Sequence, residues 1–223
     1  MKNLANVKKS LLMKMFRIYR HLLPLLLFTI ILVLVRVAIT ESPRYIFLLW
    51  NVFLAILPLY FSNKAVTTTK NLMFAFWSGL WMLFLPNSFY IVTDLYHLGI
   101  STGIPQWFDL VLISSAAANG IIYSFLSLRN IELRLNGLFN TSVISLLLGL
   151  MMLLCGYGVY LGRYNRWNSW DIVCNPLSLV RDIAFHVMHP FRNVDVWGLS
   201  LVFGLWMYLL YMAFRKSFSV SRS

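Results

Sequence analysis

The chain has 223 residues, 60% of them hydrophobic and only 12% charged, and its 19 Lys and Arg outweigh 7 Asp and Glu to leave a formal charge of +12. A soluble domain carries about a quarter charged residues, so a water-soluble enzyme is excluded for want of a charged surface. Aromatics alone make up 16% of the chain, which excludes disorder.

What remains is an integral membrane protein. A bilayer core of about 30 Å needs roughly 20 apolar residues per helix. Six stretches meet or approach that length: 21–39, 45–61, 71–85, 107–128, 138–161 and 197–214. No alternation of polarity suggests a barrel. The fold class is therefore expected to be all-α, a polytopic membrane helix bundle of about six transmembrane helices with short interfacial helices on the outer side. Residues 1–20 read as a basic cytoplasmic segment, 21–214 as a single six-helix membrane domain and 215–223 as a basic cytoplasmic tail.

The first segment, from Lys8 through Lys9 and Lys14 to Arg17, suits a short basic amphipathic helix lying flat on anionic lipids of the inner leaflet. The basic region is long and no small-residue cleavage site follows it, so no cleaved signal peptide is expected. Pro24 falls near the start of the first span, where a missing N–H is harmless. Arg36, three residues from the outer end of that span, is expected to snorkel to the interface. The third stretch is short, rising only about 22 Å. Either the residues after Pro86 complete it, or the chain breaks there against protein or a wet cavity. Beyond Pro86, Asn87 or Ser88 is expected to cap a short helix ending near Gly99.

With the N-terminus in the cytoplasm, thirteen basic residues lie inside and five outside, as the positive-inside rule requires. Both termini are then cytoplasmic in a plasma membrane. The positive charge flanks apolar spans, so it reads as a topology anchor in contact with the lipid bilayer, with no nucleic-acid partner implied. Six of the seven acidic residues and three of the four His fall on the outer side. Chemically capable side chains thus gather at one face.

Within the spans, the Ser114–Gly120 run, Asn119, Gly149, Gly156 and the Gly158/Gly162 pair suit close helix packing, with Asn119 as a hydrogen-bonding contact. Cys155 and Cys174 read as two unreactive thiols. On the outer side Asp94 and His97 are spaced i, i+3 and share a helical face. They can hold a metal, or Asp94 can fix the tautomer of a basic His97, or the two simply hydrogen-bond. Asp109 opens the fourth span, where a helix N-terminus favours an anion, and can also stand beside Asp94. Arg163 and Arg166 can clamp a phosphate or carboxylate, or pair with Asp94, Asp109 and Asp171 to knit the outer loops. After Asn175-Pro176, an apolar stripe from Leu179 to Val187, with Asp182 and His186 opposite, suits a helix lying on the outer leaflet.

The run Leu85-Pro86-Asn87-Ser88-Phe89-Tyr90-Ile91-Val92-Thr93-Asp94-Leu95-Tyr96-His97-Leu98, the Trp107-Phe108-Asp109 that follows and the motif Gly162-Arg163 through Arg166-Trp167-Asn168-Ser169-Trp170-Asp171 together resemble a family of bacterial and archaeal multi-pass membrane proteins, domain of unknown function 1361. The resemblance covers most of the chain from about Tyr45. It implies Asn87, Asp94, His97, Asp109, Arg163, Arg166, Asn168 and Asp171 as signature positions, and it brings no reaction or cofactor with it. Phe89 departs from the pattern, which there often has Pro after a small residue.

Three functions follow as alternatives. In the first, a membrane-embedded enzyme or binder acts at the outer leaflet on an anionic lipid-linked or envelope substrate. Asp94, His97 and Asp109 do the chemistry there, and Asn87, Arg163, Arg166, Asn168 and Asp171 hold the substrate. In the second, a non-catalytic scaffold or accessory subunit uses the same outer network only to lock its fold. In the third, a small-solute carrier would need ionisable groups deep in the spans and related halves, and apart from Arg36 neither is evident.

Overall fold

The computed structural model describes the backbone of residues 2–99 and 103–220 and the side chains of residues 20–99 and 103–216. The described residues are 87% helical and contain no strand. Eight α-helices run in the order α1 (Lys2–Thr40), α2 (Phe47–Thr67), α3 (Asn71–Tyr90), α4 (Gln106–Leu135), α5 (Thr141–Arg163), α6 (Asp171–Cys174), α7 (Pro176–Met188) and α8 (Val194–Val220). Six helical stretches are long and apolar enough to cross a membrane: Arg20–Thr40, Pro43–Thr67, Asn71–His97, Gln106–Leu135, Thr141–Arg163 and Val194–Lys216. The all-α, multi-pass reading of the sequence holds. Six crossings leave both chain ends on one side, called here the termini side; the opposite side carries α6 and α7.

Two local expectations change. The backbone of α1 is one helix from Lys2, so Pro24 lies inside it rather than at its first turn. The expected basic face of residues 8–17 lies outside the residues whose side chains are described. The third span does not break at Pro86. Its helix runs on through the proline to Tyr90 and then tightens into a 3-10 helix, Ile91–His97. Neither Asn87 nor Ser88 caps a new helix. Ser88 is buried within α3 and donates to the Ala55 carbonyl of α2 at 2.9 Å.

A proline in mid-helix removes one N–H and crowds the preceding turn, and the far-side loop bonds to that turn. Ser169 donates to the Leu83 carbonyl at 3.0 Å and accepts from Asn87 Nδ2 at 2.8 Å. Borrowed partners of this kind are how membrane helices tolerate proline. The Pro86 ring sits against Gly158 of α5, where an added Cβ would lie 2.7 Å from Pro86 Cγ.

The bundle is organised around α4. Between helices surrounded by lipid the hydrophobic drive is weak, and packing with hydrogen bonds supplies the association. One apolar cluster joins α1, α2 and α4 through Val33, Leu48, Leu112 and Ile113, and another joins α3, α4, α5 and α8 through Trp81, Phe125, Leu148 and Met207. Polar side chains of α4 reach each neighbour in turn. Asn119 donates to Thr29 of α1 at 2.9 Å and accepts from Tyr123 at 2.7 Å. Asn130 donates to Ser62 and Asn63 of α2, and Trp81 of α3 donates to Ser127. Asn119 is thus a fully bonded contact between helices. Gly120 lets α4 press on α3, since a Cβ there would strike the Ser88 carbonyl; Gly156 does the same for α5 on the Ser200 carbonyl of α8. Cys155 and Cys174 are both free.

Candidate functional site

Asp94 sits on the 3-10 turn after α3 and is buried, with 1% of its surface exposed. The turn brings it between α2 and the end of α5. Asn51 of α2 donates Nδ2 to Asp94 Oδ2 at 2.7 Å, and Arg163 of α5 donates Nη1 to Oδ1 at 3.2 Å. Both carboxylate oxygens are therefore engaged inside the protein. Arg163 also donates to the Tyr90 hydroxyl at 3.4 Å, and its guanidinium lies over the rings of Tyr90 and Tyr96 at 5.8 and 5.4 Å. Such a cation is fixed by charge on one side and by aromatic faces on others.

His97 is partly exposed and packs on Phe47, with ring centroids 5.1 Å apart. Its Nδ1 is 3.1 Å from the Asp94 carbonyl oxygen and 3.9 Å from the Asp94 carboxylate. The carbonyl oxygen can only accept, so Nδ1 is the donor in this contact. The expected Asp94–His97 pair thus runs through the backbone carbonyl. Among the described residues no three His, Cys, Asp or Glu side chains come together to hold a metal ion.

Asp109 has a different partner. It is buried near the start of α4 and receives Arg36 of α1 in two parallel bonds, Nε to Oδ1 at 2.6 Å and Nη2 to Oδ2 at 3.1 Å. Arg36 is 1% exposed, donates to Thr40 and lies 4.2 Å from the Tyr45 ring centroid. It does not snorkel. A carboxylate at the same depth on the adjoining helix, together with an aromatic face, replaces the water that snorkelling would have sought.

The remaining nominated residues divide further. Asn87 and Asn168 line a cavity of about 180 Å³ beside Pro86, together with Tyr90, Trp167 and Ser169. Asp171 accepts from the Asn168 backbone N–H at 2.6 Å and so closes a loop turn. Arg166 is exposed, in the left-handed backbone region at φ 61, and has no ion pair among the described residues. It forms no clamp with Arg163. Asp94, His97, Asp109 and Asp171 line neither the cavity beside Pro86 nor those beside Arg163.

The open space lies on the other flank of Arg163. A cavity of about 380 Å³ is lined by Val92, Thr93, Leu95, Tyr96, Arg163, Tyr164, Leu199 and Phe203. A second, of about 420 Å³, adjoins it through Tyr164 and Leu199 and reaches Asp195. Tyr164, just past α5, has its phenol pushed above the ordinary value, first by desolvation and then by the neighbouring Tyr96. It faces this space as a neutral hydroxyl. Sequence reasoning missed Asn51, Tyr90, Tyr96 and Tyr164. The amide of Asn51 in an apolar span was a readable signal; the tyrosines were hidden among eleven in an aromatic-rich chain.

The last polar contacts hold the cap. Trp167 donates Nε1 to Asp182 at 2.8 Å, and the Tyr157 hydroxyl meets His186 Nδ1 at 3.0 Å. The polar face of α7 thus turns onto the protein, while Leu177, Val180 and Val187 are exposed.

In comparison with known proteins, the family described as Protein of unknown function (DUF1361) matches residues 50–210. No curated protein and no solved structure matches the chain.

Proposed function

This chain belongs to the DUF1361 family, and for the far-side space it carries we propose a binding role: it holds an amphiphile whose anionic head meets Arg163 and whose tail lies along Val92, Leu95, Leu199 and Phe203. One observation carries this reading. Arg163 is held in place by Asp94 and Tyr90 through Nη1 alone, at the wall of an apolar cavity of about 380 Å³. A guanidinium has five N–H donors; Nε and Nη2 have no hydrogen-bond partner among the described residues, which leaves three donors for a phosphate or carboxylate. Binding is favoured over catalysis because Asp94 and Asp109 each have both oxygens engaged by donors of the chain. In the same reading the membrane is a bacterial plasma membrane and far side means extracytoplasmic; the excess of basic residues on the termini side supports cytoplasmic termini.

The test places a photoreactive phenylalanine analogue at Tyr96 in the purified protein and supplies phosphatidylglycerol or phosphatidylcholine. Crosslinking is expected to favour the anionic lipid, and Arg163→Gln is expected to abolish that preference with the protein still folded. Equal capture of the two lipids, unchanged by Arg163→Gln, would overturn the reading. A reporter fused after Ser223 that is active only outside the cytoplasm would overturn the orientation.

A second reading, a scaffold whose far-side network only locks the fold, is favoured by the same closed carboxylates. It predicts that Arg163→Gln changes protein abundance and no binding.

A further inference from the structure

On the termini side, α5 and α8 leave an apolar groove of about 330 Å³, lined by Ser145, Leu146, Gly149, Leu150, Leu153, Gly204, Leu205 and Tyr208. Gly204 lets the two helices meet, since a Cβ there would lie 2.7 Å from the Met152 carbonyl oxygen and 2.9 Å from Leu153 Cα. Gly149 is different. A Cβ there would find only Tyr208, at an ordinary 3.8 Å, so its missing side chain is groove floor. The walls Leu146, Leu150 and Leu205 are exposed on the bundle surface, where lipid surrounds the spans. From Ser145 to Leu153 the floor rises about 12 Å, close to the roughly 15 Å depth of one leaflet's hydrocarbon.

The groove ends at a charge. Arg215 donates Nη1 to Ser145, the lining residue nearest the termini side, at 3.4 Å. Its Nε lies 2.6 Å from Glu132 Oε1, and Arg129 Nη1 lies 3.0 Å from Glu132 Oε2. Two guanidinia facing one carboxylate leave a net positive charge at the leaflet boundary. Arg215 and Arg129 both keep part of their surface exposed, 20% and 23% of the side chain.

We propose that this groove is a site for one anionic phospholipid of the termini-side leaflet, with an acyl chain over Gly149 and the phosphate at Arg215 and Ser145. An uncharged chain end would gain nothing from the cation, and a zwitterionic head brings no net charge to meet it; a phosphate diester with no compensating ammonium does. The site is independent of the far-side cavity, and its lipid comes from the opposite leaflet.

The experiment uses the full chain purified in detergent and exposed to phosphatidylglycerol or phosphatidylcholine, with retained lipid counted by native mass spectrometry. The Arg163→Gln chain is expected to keep phosphatidylglycerol about fivefold better. Gly149→Leu, whose Cβ would meet only the Tyr208 ring, fills the floor and is expected to remove that preference. Leu205→Trp, from an exposed wall, fills the same space and guards against a folding defect in the first variant. All variants are compared in an Arg163→Gln background, in which the far-side cavity has no preference of its own, so the difference that is retained reports this groove alone. Equal retention of the two lipids by the Arg163→Gln chain, or undiminished preference when either groove-filling change is added to it, overturns the proposal. So does a loss of dimer mass in those variants without loss of lipid, which would assign the groove to a second copy of the chain.

Discussion

The Arg36 guanidinium and the Asp109 carboxylate meet two-on-two inside the bundle, at 2.6 and 3.1 Å, and join α1 to α4. Both residues are buried. Removing two charges from water costs nearly as much as their attraction returns, but stranding one of them is far worse. Arg36→Ala is therefore expected to destabilise the protein by about 3–5 kcal/mol. The double variant Arg36→Met with Asp109→Leu is expected to recover most of that loss. Unfolding in mixed micelles checks both, and a double variant no better than Arg36→Ala would contradict this account.

Helix approach at Gly120 gives a steric prediction. A Cβ there would collide with the Ser88 carbonyl and with Ile91, and backbone cannot step aside as a long side chain can. Gly120→Ala is expected to cost about 1–3 kcal/mol by overpacking. Gly79→Ala is the control, because nothing stands within 4 Å of a Cβ at that position. The two melting temperatures, measured side by side, decide it.

These relationships show where the sequence could be read and where it could not. The spans were legible because a continuous apolar run has one use in a chain so poor in charge. Asn119 was legible as a contact because an amide in a small-residue stripe has few alternatives. Arg36 was misread because snorkelling considers one helix alone, and its partner is 73 residues away. Depth held the missing signal: Arg36 is near the far-side end of α1 and Asp109 near the far-side start of α4. The far-side Asp, His and Arg residues were seen as one gathering because sidedness follows from topology. Their division into an Asp94 cluster, an Asp109 pair and a Pro86 cavity depends on helix rotation, which period alone does not fix.

Asp94 and Arg163 should be energetically coupled. Their contact joins the 3-10 turn to the end of α5 at 3.2 Å, and Asn51 supports it from the other oxygen. A double-mutant cycle with Asp94→Ala and Arg163→Ala is expected to give a coupling of about 0.5–3 kcal/mol. Asp94→Ala alone is expected to lower the amount of folded protein, because it leaves the Asn51 amide and a buried face of Arg163 without an acceptor. Additive effects would mean that the pair does not hold the arginine in place.

Glu132 is the acidic residue of the termini side, fully buried where α4 meets α8. Tyr211 donates to its Oε2 at 2.6 Å, and Arg129 and Arg215 flank it. A hydrogen bond to a charged group contributes about 1.5–3 kcal/mol, so Tyr211→Phe is expected to cost that much. Glu132→Ala is expected to cost more, since it removes the same bond and also leaves two guanidinia facing each other. Glu132→Gln keeps an acceptor for Tyr211 but no charge, and should fall between them. The order of the three unfolding midpoints is the measurement; Glu132→Ala melting above Tyr211→Phe would mean that the carboxylate is not what holds α8 to α4.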